Sequence, residues 1–173
     1  MCILPGITTL IQYLATFKKL KYPLQCPKCD SCRLVGHGVY YRKADRKSGA
    51  LNPIPIQRFF CRNCHVTCSA LPECIPPRRW YLWDIQQEAL LLYSEGQSLR
   101  AITDQLSGPA VDTVARWVKR FQNQFSLHAS VIRVLRPALA CNPGFKAFWQ
   151  ACFKEFSLAV LMRLCHVAHV DVP

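Results

Sequence analysis

The chain has 173 residues, 51% of them hydrophobic, which is enough for one ordinary domain or two small ones with a packed core. The longest apolar run near the C-terminus is too short to span a membrane, and the N-terminus lacks the charge order of a secretory signal. These features argue against a membrane or secreted protein. We therefore expect a cytoplasmic protein whose eleven cysteines stay reduced.

The positive charge is concentrated in one part of the chain. Of the formal net charge of +12, residues 18–79 contribute +10, from thirteen Lys or Arg and three acidic residues. A basic half beside a nearly neutral half indicates a polyanionic partner, most often nucleic acid. The alternative is a basic surface that only meets water.

Four segments follow one another along the chain. Residues 1–23 predict an N-terminal helix over 7–20, with Leu10, Ile11, Leu14 and Phe17 on its apolar face. Residues 24–79 predict three short strands, VGHGVYYR, PIPIQRFF and HVTCSAL. Residues 80–125 change to helical periodicity, and residues 126–173 hold two apolar helical candidates, 127–139 and 145–167.

Two Cys-x-x-Cys turns flank the predicted strands, with thirty-one residues between Cys29 and Cys61. Four thiolates satisfy zinc tetrahedrally, and a β unit of this size has little core, so metal binding supplies missing folding free energy. We predict a structural zinc ion on Cys26, Cys29, Cys61 and Cys64. Four thiolates close the site and leave no position for a catalytic water.

Two further cysteines leave this ligand set open. Cys32 lies three residues beyond Cys29, and Cys68 lies four beyond Cys64, so either can replace a ligand. Cys68 follows a strand pattern, which favours packing as a small apolar side chain. Core positions are expected for the cysteines without ligand spacing: Cys2, Cys74, Cys141, Cys152 and Cys165.

The segment 80–125 predicts a helix-turn-helix. Ser98 can cap a short helix, SLRAITDQL, and Ser107-Gly108 forms the turn before the helix PAVDTVARWVKRFQNQF. The predicted inner face of that second helix is Val111, Val114, Trp117, Val118 and Phe121. The alternative is a plain three-helix bundle whose basic face meets water.

Two basic groups are predicted to contact double-stranded DNA. On the second helix, Arg116 can donate bidentately to guanine, and Thr113, Lys119 and Arg120 can meet bases or phosphates. On the ribbon side the predicted phosphate contacts are Arg42, Lys43, Arg46, Lys47, Arg78 and Arg79.

The order CPKC…CRNC followed by TVARWVKR resembles the N-terminal DNA-binding region of bacterial insertion-sequence transposases of the InsA type, a zinc ribbon followed by a helix-turn-helix. The resemblance covers about residues 24–124 and includes Phe60 and the TCSALPE run. It implies binding to the terminal inverted repeats of a mobile element. Strand transfer in such systems needs three spaced carboxylates, but past Asp112 the only acids are Glu155 and Asp171. We therefore expect a separate catalytic transposase subunit.

Together these patterns predict an α+β fold, a small β zinc ribbon followed by an all-α helix-turn-helix domain and C-terminal helices. The expected function is that of a DNA-binding subunit or regulator, not an enzyme. The helices of 126–173 are expected to pack on the helix-turn-helix or to form a homodimer. Two alternatives remain: a zinc-ribbon transcription regulator unrelated to transposition, and a protein-interaction adaptor that uses the C-terminal helices.

Overall fold

A computed structural model describes residues 2–4, 6–19, 25–43, 53–77 and 81–172. The chain divides into two compact units, residues 1–82 and 83–173. Within the described residues a four-stranded sheet combines with seven α-helices, which confirms the expectation of a mixed α and β protein. None of the helices in these ranges has the length and apolar character needed to cross a membrane.

The first unit is built on the sheet. Its strands are β1 (Cys2–Leu4), β2 (Leu34–Arg42), β3 (Ile54–Cys61) and β4 (Thr67–Pro72). Their order is β1-β4-β3-β2, with β1 parallel to β4 and the other two pairs antiparallel. The sequence pattern predicted β2, β3 and β4 but missed β1, because three residues are too few to show an alternation.

A bulge interrupts the pairing of β2 with β3. Gly36 lies opposite Phe59, but Val39 lies opposite Gln57, so β2 has one extra residue between these pairs. Gly38 occupies this bulge with φ of +82°, a left-handed conformation that glycine adopts without steric cost. The buried residues of β3 are Ile54 and Ile56 on one face of the sheet and Phe59 and Cys61 on the other.

Helix α1 (Leu10–Thr16) packs on this sheet and continues as a short 3-10 helix, Phe17–Lys19. Tyr13 is fully buried with Ile54 and Ile56, and its hydroxyl donates a 2.8 Å hydrogen bond to the carbonyl oxygen of Pro55. The prediction that Ile11 faces the core was wrong, because its side chain is 70% exposed. The helix is oriented by the large Tyr13 ring, and Ile11 lies on another face.

The second unit contains only helices among its described residues. They are α2 (Trp83–Ser94), α3 (Leu99–Leu106), α4 (Val111–Asn123), α5 (Phe125–Leu135), a 3-10 helix (Pro137–Cys141), α6 (Phe145–Glu155) and α7 (Leu158–Val167). Ser98 caps α3 as predicted, since its side chain accepts a 3.2 Å hydrogen bond from the amide of Ala101.

Aromatic side chains fill the core of this unit. Trp149 is fully buried, and its ring centroid lies 5.5 Å from those of Phe121, Phe148 and Phe153. Such contacts stabilise a core beyond the area they bury.

The prediction of one helix over 145–167 was wrong. The side chain of Ser157 caps α7, and the amide of Leu158 donates a 2.6 Å hydrogen bond to Gln87 Oε1 in α2. Because these groups satisfy the first amides of α7, a new helix starts here instead of continuing α6.

Candidate metal centre and nucleic-acid interface

Each cysteine pair closes the same backbone turn. The amide of Cys26 donates to the carbonyl oxygen of Ser31, and the amide of Asp30 donates to that of Cys26, both over 2.9 Å. The second turn repeats both bonds, at 3.0 and 2.9 Å, with Cys61, His65 and Val66 in the equivalent places. The residue after the second cysteine is left-handed in both turns, with φ of 53° at Asp30 and 57° at His65. Asp and His are among the residues that tolerate this conformation best.

The two turns bring four thiols together. The Sγ atoms of Cys26 and Cys64 are 3.6 Å apart, those of Cys29 and Cys61 are 3.7 Å apart, and all four lie within 4.8 Å of one another. Thiolates at about 2.3 Å from a tetrahedral ion lie about 3.8 Å from each other. The four cysteines can therefore hold one metal ion, and the prediction that these four come together is confirmed.

The local electrostatics of this group are uneven. Cys26 and Cys61 are buried, whereas Cys29 and Cys64 are half-buried. The Nδ2 of Asn63 donates to Cys29 Sγ over 3.5 Å, and this bond above all lowers the pKa of the Cys29 thiol to about 6. Desolvation, followed by hydrogen bonding to Cys29, raises the pKa of Cys64 to about 12. An ionised Cys29 thus disfavours ionisation of Cys64. A bound cation would stabilise both thiolates.

The other cysteines lie outside this group. Cys68 is buried against Phe59 and Ala70, as its strand pattern predicted, and Cys32 is exposed. Burial of Cys152 and Cys165 confirms their predicted core positions. The prediction was wrong for Cys141, which is exposed because it ends a surface 3-10 helix. Cys74 was predicted in the core and is half-buried. The side chain of Cys2 lies outside the described residues.

Helix α4 has two different faces. Val114, Trp117, Val118 and Phe121 are buried, as predicted from the helical period, whereas Val111 is exposed at the first turn. The remaining predicted contact residues divide into exposed Arg116 and Lys119 and half-buried Thr113 and Arg120. One side of α4 therefore packs in the core and another offers cations to solvent.

Arg116 folds back over the first turn of α4. Its Nε donates a 3.1 Å hydrogen bond to the carbonyl oxygen of Asp112, and its Nη2 donates a 3.2 Å bond to Thr113 Oγ1. The preceding turn ends α3 at Ser107, which is left-handed with φ of 50°. These contacts hold an exposed guanidinium near the N-terminal end of α4.

The ribbon-side cations are less uniform than the sequence indicated. Arg42 is half-buried, its Nη2 donates a 2.7 Å hydrogen bond to the carbonyl oxygen of Pro76, and desolvation lowers its pKa. Lys43 is exposed. The other four, Arg46, Lys47, Arg78 and Arg79, lie outside the described residues.

Asn63 is a site residue that the sequence pattern did not single out. Its position between Cys61 and Cys64 was a usable signal, because an amide side chain inside a metal-binding turn can donate to a thiolate of the other turn.

A family model described as "Domain of unknown function (DUF6431)" matches residues 26–117, more than half of the chain. The chain belongs to the DUF6431 family. The DUF6431 match begins at Cys26 and ends at Trp117, so it includes both cysteine turns and the first half of α4. No curated protein and no solved structure matches the chain.

Proposed function

We propose that this protein is a DNA-binding protein with a structural zinc ion, and that it serves as a transposase-related DNA-binding subunit or regulator that recognises the ends of a mobile element. It acts by binding and depends on a separate transposase subunit for catalysis. The observation that most directly supports this function is the division of α4 into a buried face and a basic face.

Zinc is the metal that we propose for the four cysteines. Tetrahedral sulfur sites hold zinc or iron, and the Sγ separations of 3.6 and 3.7 Å suit such an ion. Four thiolates leave no open coordination position, which supports a structural role. Metal analysis of the purified protein is expected to find about one zinc per chain. Iron in place of zinc would reject this choice of metal without affecting the ligand set.

The proposed recognition helix is α4, which follows α3 and the turn at Ser107. In a helix-turn-helix, residues near the start of the second helix contact base edges in the major groove. Arg116 and Thr113 have that position, and a guanidinium can bond bidentately to guanine. Lys119 is exposed on the same helix and is proposed to meet a phosphate.

The link to transposition rests on the order of motifs. CPKC…CRNC followed by TVARWVKR is similar to the InsA type of insertion-sequence proteins, and the pairing of a metal group with a basic helix is in keeping with it. The proposed partners are duplex DNA at element ends and a catalytic subunit, with a second copy of the chain where the ends are repeated.

The test is selection of bound duplexes from a random pool, followed by affinities for the selected duplex and a scrambled one at three salt concentrations. Arg116→Ala is expected to reduce discrimination by about 1–3 kcal/mol, because a base contact is lost. Arg46→Ala with Lys47→Ala should weaken both duplexes similarly and reduce the salt slope, as phosphate contacts do.

Lys154→Ala is the control for Arg116→Ala, since it removes an exposed cation from α6. Its affinities should match those of the native protein. If Arg116→Ala still discriminates between the selected and scrambled duplexes as the native protein does, α4 is not the recognition helix.

A further inference from the structure

We propose that the end of the β2–β3 hairpin next to the cysteine turns binds single-stranded nucleic acid through His37, Phe60 and His65, here termed the ring row. The Phe60 ring centroid lies 5.8 Å from that of His37 and 6.0 Å from that of His65. Both imidazoles are exposed, and Phe60 between them is half-buried. This goes beyond the proposed function, which assigns duplex recognition to α4.

The backbone explains why these three rings meet at the surface. Phe60 and the buried Phe59 are neighbours in β3, so their side chains lie on opposite faces of the sheet. His37 lies in the β2 bulge, which brings its ring toward Phe60. His65 lies at the left-handed position of the Cys61–Cys64 turn. The bulge and the metal-binding turn, two unrelated local structures, thus place aromatic rings on one face.

Three arginines lie close to the ring row along the paired strands. The amide of Arg62 donates a 3.0 Å hydrogen bond to the carbonyl oxygen of Arg33, so these two exposed residues are paired two steps beyond the Val35–Phe60 pair. Arg58 precedes Phe60 by two residues and therefore shares its face. In the described part of the chain, none of these arginines forms a salt bridge.

Acidic groups are few in the part of the first unit that the structure describes. The described part of the first unit holds two acids, Asp30 and Glu73. Glu73 is buried, and its Oε2 accepts a hydrogen bond from the amide of Gly6. Asp30 is exposed at the end of the first metal-binding turn. The face of the ring row is therefore aromatic and cationic together.

That combination matches one class of ligand. Arginines suit a phosphate backbone, and exposed rings suit bases whose faces are free to stack. In a duplex those faces are covered by neighbouring base pairs, so a row of rings has nothing to stack on. Stacking needs no particular base, and we expect little sequence preference.

The test uses the metal-loaded full chain and a fluorescent homothymidine of about 12 nucleotides, with binding followed by anisotropy. His37→Ser with His65→Asn should weaken binding by about tenfold for each ring removed. Asn tolerates the left-handed conformation at position 65, so the metal content should not change. Arg33→Gln with Arg62→Gln should reduce the slope of log affinity against log salt by about 1.4.

The matched control is His169→Asn. His169 is also exposed and left-handed, with φ of 57°, but it lies in the second unit. Its substitution should leave single-strand binding unchanged. If the double histidine variant loses metal, His37→Ser alone and the arginine pair still test the proposal.

Failure of the native chain to bind the oligonucleotide, or unchanged binding in the ring-row variants, would overturn the proposal. So would an equal loss on duplex DNA, because the ring row would then belong to duplex contact. Arg116→Ala separates this inference from the proposed function, since it should alter duplex discrimination and leave single-strand binding intact.

Discussion

The two units of this chain are stabilised by different means. In the first, a few buried residues such as Tyr13, Ile54 and Ile56 pack between α1 and the sheet, and a four-cysteine group lies at the end of β3. In the second, Trp149 and its aromatic neighbours form the core of seven helical segments. The proposed metal would supply in this small sheet part of what apolar burial supplies in the helical unit.

Removal of the metal should give the largest difference between the units. A chelator, or Cys61→Ser, is expected to unfold the first unit and leave the second folded, because structural zinc contributes about 10 kcal/mol or more in small domains. Hydrogen exchange read by mass spectrometry would show lost protection over residues 26–75 and retained protection over 83–167.

Two cysteines outside the metal group serve as controls. Cys32→Ser removes an exposed thiol, and Cys68→Ser alters a buried one beside Phe59. Both variants should keep the metal. Loss of metal from the Cys68 variant alone would show that the ligand set of Cys26, Cys29, Cys61 and Cys64 is wrong.

A cavity in the core of the second unit should destabilise that unit and leave the first unit folded. Trp149→Ala is expected to lower the free energy of unfolding of that unit by about 3–5 kcal/mol, since it removes a fully buried ring. Metal content and exchange protection in the first unit should stay unchanged. Val134→Ala is the control, because Val134 is 80% exposed on α5 and should change stability by less than about 0.5 kcal/mol. Metal loss in Trp149→Ala would mean that the units do not fold separately.

Lowering the pH should change the free energy of unfolding of the second unit by a smaller amount. His128 is fully buried in the second unit, and its Nε2 lies 3.1 Å from the carbonyl oxygen of Asp171. Desolvation lowers its pKa below the usual 6.5, despite an opposing effect of that hydrogen bond. The unfolded chain therefore binds a proton first as the pH falls, and the free energy of unfolding should decrease below about pH 6.5.

Urea unfolding of the second unit between pH 5.5 and 7.5 would measure this decrease in the free energy of unfolding. Where His128 is protonated only in the unfolded chain, the decrease is about 1.4 kcal/mol for each pH unit. His169→Gln, at an exposed histidine, should keep the same profile, and His128→Gln should flatten it. A decline that persists in His128→Gln would assign the effect to another group.

Local patterns predicted much of this structure. The two Cys-x-x-Cys spacings identified the group of four cysteines, since each turn needs only five or six consecutive residues to form. Ser98 predicted the start of α3, and the period of Val114, Trp117 and Phe121 predicted the buried face of α4. Such features depend on hydrogen bonds and side-chain directions within one turn of chain.

Contacts between distant residues decided the rest. The strand pattern favoured a core position for Cys68, although its spacing also suited a metal ligand, and the pairing of β4 with β3 buries it beside Phe59. The break before Leu158 depends partly on Gln87, which is 71 residues away, and the orientation of α1 depends on the hydrogen bond from Tyr13 to Pro55. The sequence by itself determined the turns and the faces of α4. Only the tertiary structure decided which thiols remain outside the metal group and which rings share a surface, because both depend on partners that local spacing does not specify.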